Sequence, residues 1–150
     1  MKKQYLTASP SQTKKLGETL AREILKTKPK KIAQILGLEG GLGGGKTTFL
    51  QGFARGLGIK EKILSPTFVI LKKFEIGKVK SQYFYHVDCY RIKKPREILD
   101  LGFKEIIFNP KNIVAVEWAE RIRKIMPKDI IWISFEFANK NQRKIVIKPR

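Results

Sequence analysis

The stretch that decides the fold is Gly-Gly-Leu-Gly-Gly-Gly-Lys-Thr at residues 40–47. It satisfies the phosphate-binding pattern G-x-x-x-x-G-K-[ST], in which each residue type has a physical role. Glycines allow positive φ angles, so successive backbone N–H groups can curl around a phosphate. Lys46 would then reach the β- and γ-phosphates of a nucleotide, and the Thr47 hydroxyl would bind Mg²⁺.

The flanking sequence favours this interpretation over a flexible glycine-rich linker. An apolar segment at residues 32–38 predicts a buried strand before the loop, and residues 48–54 predict the start of a helix after it. Linkers are rarely enclosed by a buried strand and an amphipathic helix. We therefore predict a phosphate-binding loop whose nucleotide contacts are made by seven consecutive residues: Leu42, Gly43, Gly44, Gly45, Lys46, Thr47 and Thr48.

The remaining sequence predicts alternating strands and helices. Ser9 or Ser11 would cap a helix at residues 13–25, and a short helix is expected at 95–102, with Pro95 at its start and Gly102 at its end. Another short helix is expected at 119–125. Strands are expected at residues 5–7, 67–75, 80–88, 112–118, 129–138 and 143–148, the last two joined by a hairpin turn at 139–142. This pattern predicts an α/β fold of three layers, the P-loop NTPase fold, with a mixed, mostly parallel sheet and C-terminal antiparallel strands.

Composition narrows the class of protein. A chain of 150 residues with 42% hydrophobic residues fits one domain, residues 1–150, with a substantial core. The sequence contains no apolar run near the length of a membrane span and no apolar signal region after Met1. Cys89 is the single cysteine, so an internal disulfide is excluded. These features predict a soluble cytoplasmic protein without membrane association.

The net charge of +19 is compatible with a nucleic-acid partner. However, the basic residues are mostly lysines, they are spread along the whole chain, and they form no compact arginine-rich segment. A generally lysine-rich composition explains the charge equally well. Binding of RNA through a basic surface therefore stays one of two open interpretations.

Acidic residues that follow predicted strands are candidates for the rest of a nucleotide site. Glu117 comes directly after the apolar run Ile-Val-Ala-Val, where a P-loop protein commonly places a second magnesium ligand. Asp88 ends another strand and is a candidate for orienting water or the magnesium hydration shell. Thr67, in Ser-Pro-Thr, is a candidate for sensing the γ-phosphate. The alternatives are a solvated glutamate, a turn aspartate and an ordinary loop threonine.

Other site types find little support in the sequence. His86 is the single histidine and the chain has no Cys/His cluster, so a zinc site is not expected. No serine lies in a nucleophile elbow that would build a hydrolytic triad on His86. Arg91 and Arg121 are candidate cations for a transition state, although a surface salt bridge is the more ordinary role for either arginine.

Four segments in order resemble the TsaE (YjeE) family of small bacterial ATPases, which help to make threonylcarbamoyladenosine in tRNA. The family pattern has a G-D-L-G-A-G-K-T-T loop, then S-P-T-[FY], H-x-D-x-Y-R and E-W. This chain has the corresponding residues at 40–48, 65–68, 86–91 and 117–118. Each segment alone is modest evidence, whereas the four in order are specific and cover nearly the whole chain.

The resemblance implies roles for residues of this sequence. Lys46 and the loop amides would bind the phosphates of ATP, Thr47 and Glu117 would hold Mg²⁺, and Thr67 and Asp88 would lie in two switch-like segments. The residues that hold adenine are expected at 9–13, with Ser11 as the candidate, and near the last hairpin. Gly41 stands where the family pattern has Asp, so any role of that carboxylate is absent here.

The resemblance also implies a Mg²⁺-dependent ATPase that is weak alone and stimulated by partners similar to TsaD and TsaB. Hydrolysis would reset their complex rather than perform the transfer to adenosine, and the basic surface would contact tRNA or an acidic partner. Two alternatives are a small metabolite or nucleoside kinase and a non-catalytic RNA-binding module. The chain lacks an arginine-rich lid and an RNP-type aromatic motif, which those two classes commonly have.

Overall fold

A computed structural model describes residues 2–28, 30–41, 45–64, 70–77 and 82–148. Four predicted site residues, Leu42, Gly43, Gly44 and Thr67, lie outside the described residues, and their assignments stay predictions. The same holds for the first residues of the strands predicted at 67–75 and 80–88.

The described residues form one seven-stranded sheet. Its strands are β1 (Lys3–Thr7), β2 (Gln34–Gly40), β3 (Leu71–Glu75), β4 (Tyr83–Asp88), β5 (Ile113–Glu117), β6 (Ile131–Asn139) and β7 (Gln142–Lys148), in the spatial order β1-β7-β6-β2-β5-β4-β3. The four central strands β6, β2, β5 and β4 are mutually parallel, and the outer pairs are antiparallel. The predicted mixed sheet with C-terminal antiparallel strands is confirmed.

Helices cover both faces of this sheet. They are α1 (Pro10–Lys26), α2 (Lys46–Gly56), α3 (Arg96–Leu99), α4 (Phe103–Ile107) and a 3₁₀ helix at Ala119–Ile125. Leu36 and Leu38 pack in the cluster that contains α1 and α2, whereas Ile35 packs in the cluster with α3, α4 and the 3₁₀ helix. This alternation along β2 confirms the three layers. In the described part of the chain, no helix has the length and apolar character needed to cross a bilayer.

Parallel pairing brings the ends of three strands to one edge of the sheet. Glu117, the last residue of β5, is in register with Leu38 of β2 on one side and with Asp88 of β4 on the other. The carboxyl ends of parallel strands are where open α/β sheets bind ligands. The fold therefore brings the two predicted carboxylates beside the loop that follows β2.

Helix α1 begins earlier than the predicted residue 13. Of the two candidate caps, Ser9 is the N-cap, and its side chain accepts a hydrogen bond from the Gln12 N–H at 3.2 Å. Pro10 occupies the first turn, where its missing N–H is not needed. Ser11 is an exposed residue of that first turn.

The short helix predicted at 95–102 is present as α3, but it ends at Leu99, so the predicted end at Gly102 is wrong. The structure has two short helices, α3 and α4, and Gly102 is the N-cap of the second rather than the end of the first. Gly102 has φ 84°, a left-handed conformation that breaks the helix at this point. The overlooked signal was the spacing of Phe103 and Ile107, which are both buried on one face of α4.

Glycines allow α1 and α2 to approach closely. A Cβ atom on Gly52 would lie 1.9 Å from the carbonyl oxygen of Lys14, and one on Gly17 would lie 2.2 Å from that of Phe49. Such distances leave no room for a methyl group, so the backbones themselves are in contact. Because α2 begins at Lys46 and Thr47, this contact fixes the position of the residues that follow the loop.

We expect Gly52→Ala to lower the free energy of unfolding by about 2 kcal/mol, because the added methyl forces α1 and α2 apart. Urea denaturation followed by circular dichroism would measure the change. Gly41→Ala is the matched control, since a Cβ atom there would meet nothing within 4 Å. Equal stability of the two variants would contradict the close-packing interpretation.

Candidate nucleotide-binding site

The two glycines that define the phosphate-binding pattern both have glycine-specific geometry. Gly40 has φ 138° and Gly45 has φ 102°, values that other residues rarely adopt. A Cβ atom on Gly40 would also lie 2.4 Å from the carbonyl oxygen of Phe135. Gly45 is the N-cap of α2, so the loop leads directly into the N-terminus of that helix. A helix N-terminus is a favourable position for an anion.

Lys46 is directed back across the mouth of the loop. Its side chain is buried, with 6% exposure, and its amino group donates hydrogen bonds to the carbonyls of Gly40 and Gly41. The same amino group lies 4.0 Å from the ring centroid of Trp118. Burial lowers the pKa of Lys46, and the nearby carboxylates, Glu117 foremost, oppose that shift.

Trp118 reaches Lys46 because of its backbone conformation. Its φ of 58° is the only positive value for a non-glycine residue in the described ranges, and it turns the chain sharply after β5. The other neighbours of the indole are Tyr90, with ring centroids 5.0 Å apart, and the Arg121 guanidinium at 5.3 Å. Arg121 therefore lies on an aromatic pair beside the loop, while Arg91 is an exposed residue after β4. A role for either arginine in catalysis stays a prediction.

Glu117 is the buried centre of the site. Its side chain is 3% exposed, and each carboxylate oxygen has a partner. Oε1 accepts a hydrogen bond from the Thr47 hydroxyl at 3.2 Å, and Oε2 lies 2.7 Å from Nε2 of His86. The structure thus brings together the two residues predicted as magnesium ligands, Thr47 at the start of α2 and Glu117 at the end of β5.

Asp88 lies beside Glu117 on the neighbouring strand β4. Its carboxylate accepts a hydrogen bond from the Tyr90 backbone N–H at 2.9 Å, which fixes its orientation. Burial raises the pKa of the Asp88 carboxyl; the charge of Glu117 adds to this rise, and the Tyr90 hydrogen bond opposes it. A buried carboxylate with a raised pKa beside a second carboxylate is a common feature of functional sites.

A cavity of about 440 Å³ opens above Lys46, Thr47 and Glu117, whereas Asp88 is not among the residues that line it. It joins four parts of the fold: the start of α1, the loop and α2, the end of β5, and the hairpin between β6 and β7. The residues that line it are Ala8, Ser9, Pro10, Thr13, Gly45, Lys46, Thr47, Thr48, Glu117, Trp118, Lys140, Asn141 and Arg143. Ser11 is not among these lining residues, whereas its neighbours Ser9, Pro10 and Thr13 are. The site thus has room for a ligand larger than a phosphate group.

The donor atoms suit Mg²⁺ bound together with a nucleotide. Mg²⁺ prefers oxygen ligands and in nucleotide sites takes one or two carboxylates plus substrate phosphates and waters. The Thr47 hydroxyl and the Glu117 carboxylate supply such oxygens side by side. Across the described ranges, no group of three or more His, Cys, Asp or Glu side chains is arranged to hold a metal alone. The residues present therefore fit a metal that the nucleotide helps to bind.

Sequence reasoning missed the contact between His86 and Glu117. His86 is two residues before Asp88, so on a strand both side chains point to the same face of the sheet, the face that carries α2. That signal was present in the sequence. The contact also depends on the pairing of β4 with β5, which brings the His86 ring next to the Glu117 carboxylate. The spacing of residues along the sequence does not reveal that pairing.

Comparison with known proteins gives one consistent family. The family model described as threonylcarbamoyl adenosine biosynthesis protein TsaE matches residues 7–145. A Bacillus subtilis protein named tRNA threonylcarbamoyladenosine biosynthesis protein TsaE is 37% identical over 94% of this chain and 82% of its own length. A Nostoc protein of the same name is 36% identical over 89% of this chain and 75% of its own length.

A solved structure supports the same grouping. The crystal structure of YdiB from Bacillus subtilis aligns with a TM-score of 0.79 and 32% sequence identity. The alignment covers 99% of this chain and 86% of that one. The likeness therefore extends over the sheet, both helical layers and the edge at which the candidate site lies.

We expect Asp88→Asn to raise the free energy of unfolding at pH 7 to 8, since it removes a buried charge and keeps an oxygen for the Tyr90 N–H. A raised pKa in the folded state means that the folded protein binds the proton more tightly than the unfolded chain. The stability of the wild type therefore falls as pH rises from the ordinary aspartate range, near 3.8, through the raised value. The gain in free energy of unfolding from Asp88→Asn should disappear at pH values at or below the ordinary aspartate pKa, where the Asp88 carboxyl is uncharged.

Urea titrations of both proteins at a series of pH values would measure this difference. Asp129→Asn is the control, because Asp129 is exposed and pairs with Lys30 at the surface. A pH-independent effect of Asp88→Asn would contradict the assignment of a raised pKa to this carboxyl.

Occupation of the site should change the fluorescence of Trp118, because a phosphate would draw the Lys46 amino group away from the indole. The chain has two tryptophans, so Trp132→Phe leaves Trp118 as the only tryptophan, whose emission is excited selectively at wavelengths that tyrosine does not absorb. We expect a saturable change in emission on addition of ATP and Mg²⁺, and its loss when Lys46→Ala is added. A protein that binds ATP with unaltered Trp118 emission would show that the amino group does not leave the ring.

Proposed function

The chain belongs to the TsaE family, and we propose that it binds and hydrolyses ATP as a subunit of the complex that makes threonylcarbamoyladenosine in tRNA. Family membership links it to the biosynthesis of that nucleoside and to a P-loop nucleotide-binding fold. The hydrolytic role, the dependence on Mg²⁺ and the identity of the partners are our proposals. The observation that carries the hydrolytic role and the dependence on Mg²⁺ is the contact of Thr47 with Glu117 beside Lys46 at the mouth of the cavity. The identity of the partners is proposed on the resemblance to the family alone.

The described residues would divide the work as follows. Lys46 and the backbone N–H groups at the start of α2 bind the phosphates, for which Gly45 gives the required turn. The Thr47 hydroxyl and the Glu117 carboxylate hold the metal ion, and Asp88 orients water in this site. When bound, Mg²⁺ neutralises charge that develops on the β- and γ-phosphates. Thr67 would sense the γ-phosphate from a switch segment.

The adenosine would occupy the part of the cavity that lies between the start of α1 and the β6–β7 hairpin. Its walls there are the start of α1, with Pro10 and Thr13, and the β6–β7 hairpin, with Asn141 and Arg143. Thr13 is buried and hydrogen-bonded to Thr7, so this wall is fixed before a ligand arrives. ATP rather than GTP is the nucleotide that we propose, on the resemblance to the family.

The proposed partners are proteins similar to TsaD and TsaB, which would carry out the transfer to adenosine while hydrolysis resets their complex. The net charge of +19 suits a complex that handles tRNA. We expect the cytoplasm as the compartment, because the proposed substrate is tRNA. The isolated subunit should hydrolyse ATP slowly and be stimulated by these partners, as the resemblance to the family implies.

We expect Lys46→Ala to weaken ATP binding at least tenfold, because it removes the amino group that lies at the mouth of the loop against the carbonyls of Gly40 and Gly41. Glu117→Gln should retain most of the affinity for metal-free ATP and lose most Mg²⁺-dependent turnover. Isothermal titration with and without Mg²⁺, together with a phosphate-release assay, would separate the two effects. Full activity in either variant would reject the role given to that residue.

Reconstitution with the two partners and tRNA tests the proposed function as a whole. Wild-type protein should support many rounds of modification, whereas Glu117→Gln should allow about one round per complex, because resetting needs hydrolysis. Absence of ATP binding and hydrolysis even with both partners would overturn the proposal. Transfer of the γ-phosphate to nucleosides or small acids would indicate the kinase alternative instead.

A further inference from the structure

His86 is a buried polar residue to which the proposed reaction gives no task. Its side chain is 2% exposed and Glu117 is 3% exposed. Its Nε2 atom lies 2.7 Å from Oε2 of Glu117, the shortest of the carboxylate's described contacts. In the tautomer that carries its proton on Nε2, the imidazole donates this hydrogen bond to the Glu117 carboxylate.

The contact is built on the rigid centre of the sheet. In the register of β4 with β5, His86 pairs with Ala115, and two residues later Asp88 pairs with Glu117. His86 therefore reaches Glu117 diagonally across two adjacent parallel strands. Both strands are buried at these positions, so the imidazole cannot move without disturbing the core.

The opposite oxygen of the same carboxylate faces the predicted metal site. Oε1 is the atom that accepts the Thr47 hydrogen bond at 3.2 Å. A glutamate side chain has several rotatable bonds, and rotation about the last of them would turn Oε1 away from Thr47. The bond from His86 to Oε2 opposes that rotation.

We propose that His86 is the positioning residue of the metal site: its Nε2–H bond to Oε2 holds Oε1 of Glu117 towards Thr47, ready to bind Mg²⁺. The inference rests on the proposed function, since it assigns a role within that site. Groups in this position commonly change metal affinity by about 10- to 100-fold when they are removed. His86 itself touches neither the nucleotide nor the metal in this account.

The test compares full-length variants in their binding of ADP, with no turnover involved. His86→Phe and His86→Leu both remove the hydrogen-bond donor, and their new side chains differ in volume. If one of these variants fails to fold, the other can still be tested. His86→Gln keeps an N–H donor near the position of Nε2. Phe84→Leu is the control for stability, because Phe84 is buried on the same strand and face and packs on Phe53 and Phe74 rather than on Glu117.

Each protein is titrated with ADP in EDTA and then, loaded with ADP, with Mg²⁺, while thermal unfolding reports its stability. We expect unchanged affinity for metal-free ADP in all folded variants. The Mg²⁺ concentration at half-saturation should rise about tenfold in His86→Phe and His86→Leu, and less in His86→Gln. Phe84→Leu should lose stability without changing that concentration.

Two outcomes separate the inference from the proposed function. If the wild type binds ADP and the donor-free variants need no more Mg²⁺ than Phe84→Leu, His86 only stabilises the fold and the inference is overturned. If the wild type binds neither ADP nor ATP under any condition, the proposed function fails, and the positioning role fails with it.

Discussion

The hydrogen bond between the Thr47 hydroxyl and the Glu117 carboxylate joins the two halves of the candidate site. Thr47 belongs to the helix that follows the glycine-rich loop, whereas Glu117 ends a strand 70 residues later in the chain. Their meeting depends on the parallel pairing of β2 with β5 and on the close contact of α1 with α2 through Gly17 and Gly52. Packing far from the cavity thus sets the distance between the proposed ligands of one metal ion.

Burial of charged side chains at this edge of the sheet costs free energy, and a purely structural role does not explain why the protein has them there. Lys46, Asp88 and Glu117 are all nearly inaccessible to water, and burial shifts the pKa of Lys46 downwards and that of Asp88 upwards. Apolar residues at these positions would extend the core that lies directly beneath them. A phosphate and a divalent cation would compensate these charges, which is why we interpret the arrangement as preorganised for a nucleotide.

Much of the site was predictable because its signals are local. The glycine pattern identified Lys46 and Thr47, and a carboxylate after an apolar strand identified Glu117. The cavity wall at Asn141 and Arg143 depends on how the last hairpin lies against α1, which is a long-range outcome of the sheet order. The second of the two helices within residues 95–107, α4, was missed because the local sequence does not show whether a glycine ends one helix or begins the next. The contact of His86 with Glu117 needed the strand register as well as the two-residue period.

The departure at Gly41 is neutral for packing, because a Cβ atom there would meet nothing within 4 Å. The most direct test of the account is a crystal structure with Mg²⁺ and a non-hydrolysable ATP analogue. We predict phosphates at the N-terminus of α2, Mg²⁺ on Thr47 and Glu117, and the base between α1 and the β6–β7 hairpin. A nucleotide bound elsewhere, or a metal that ignores Glu117, would contradict the account.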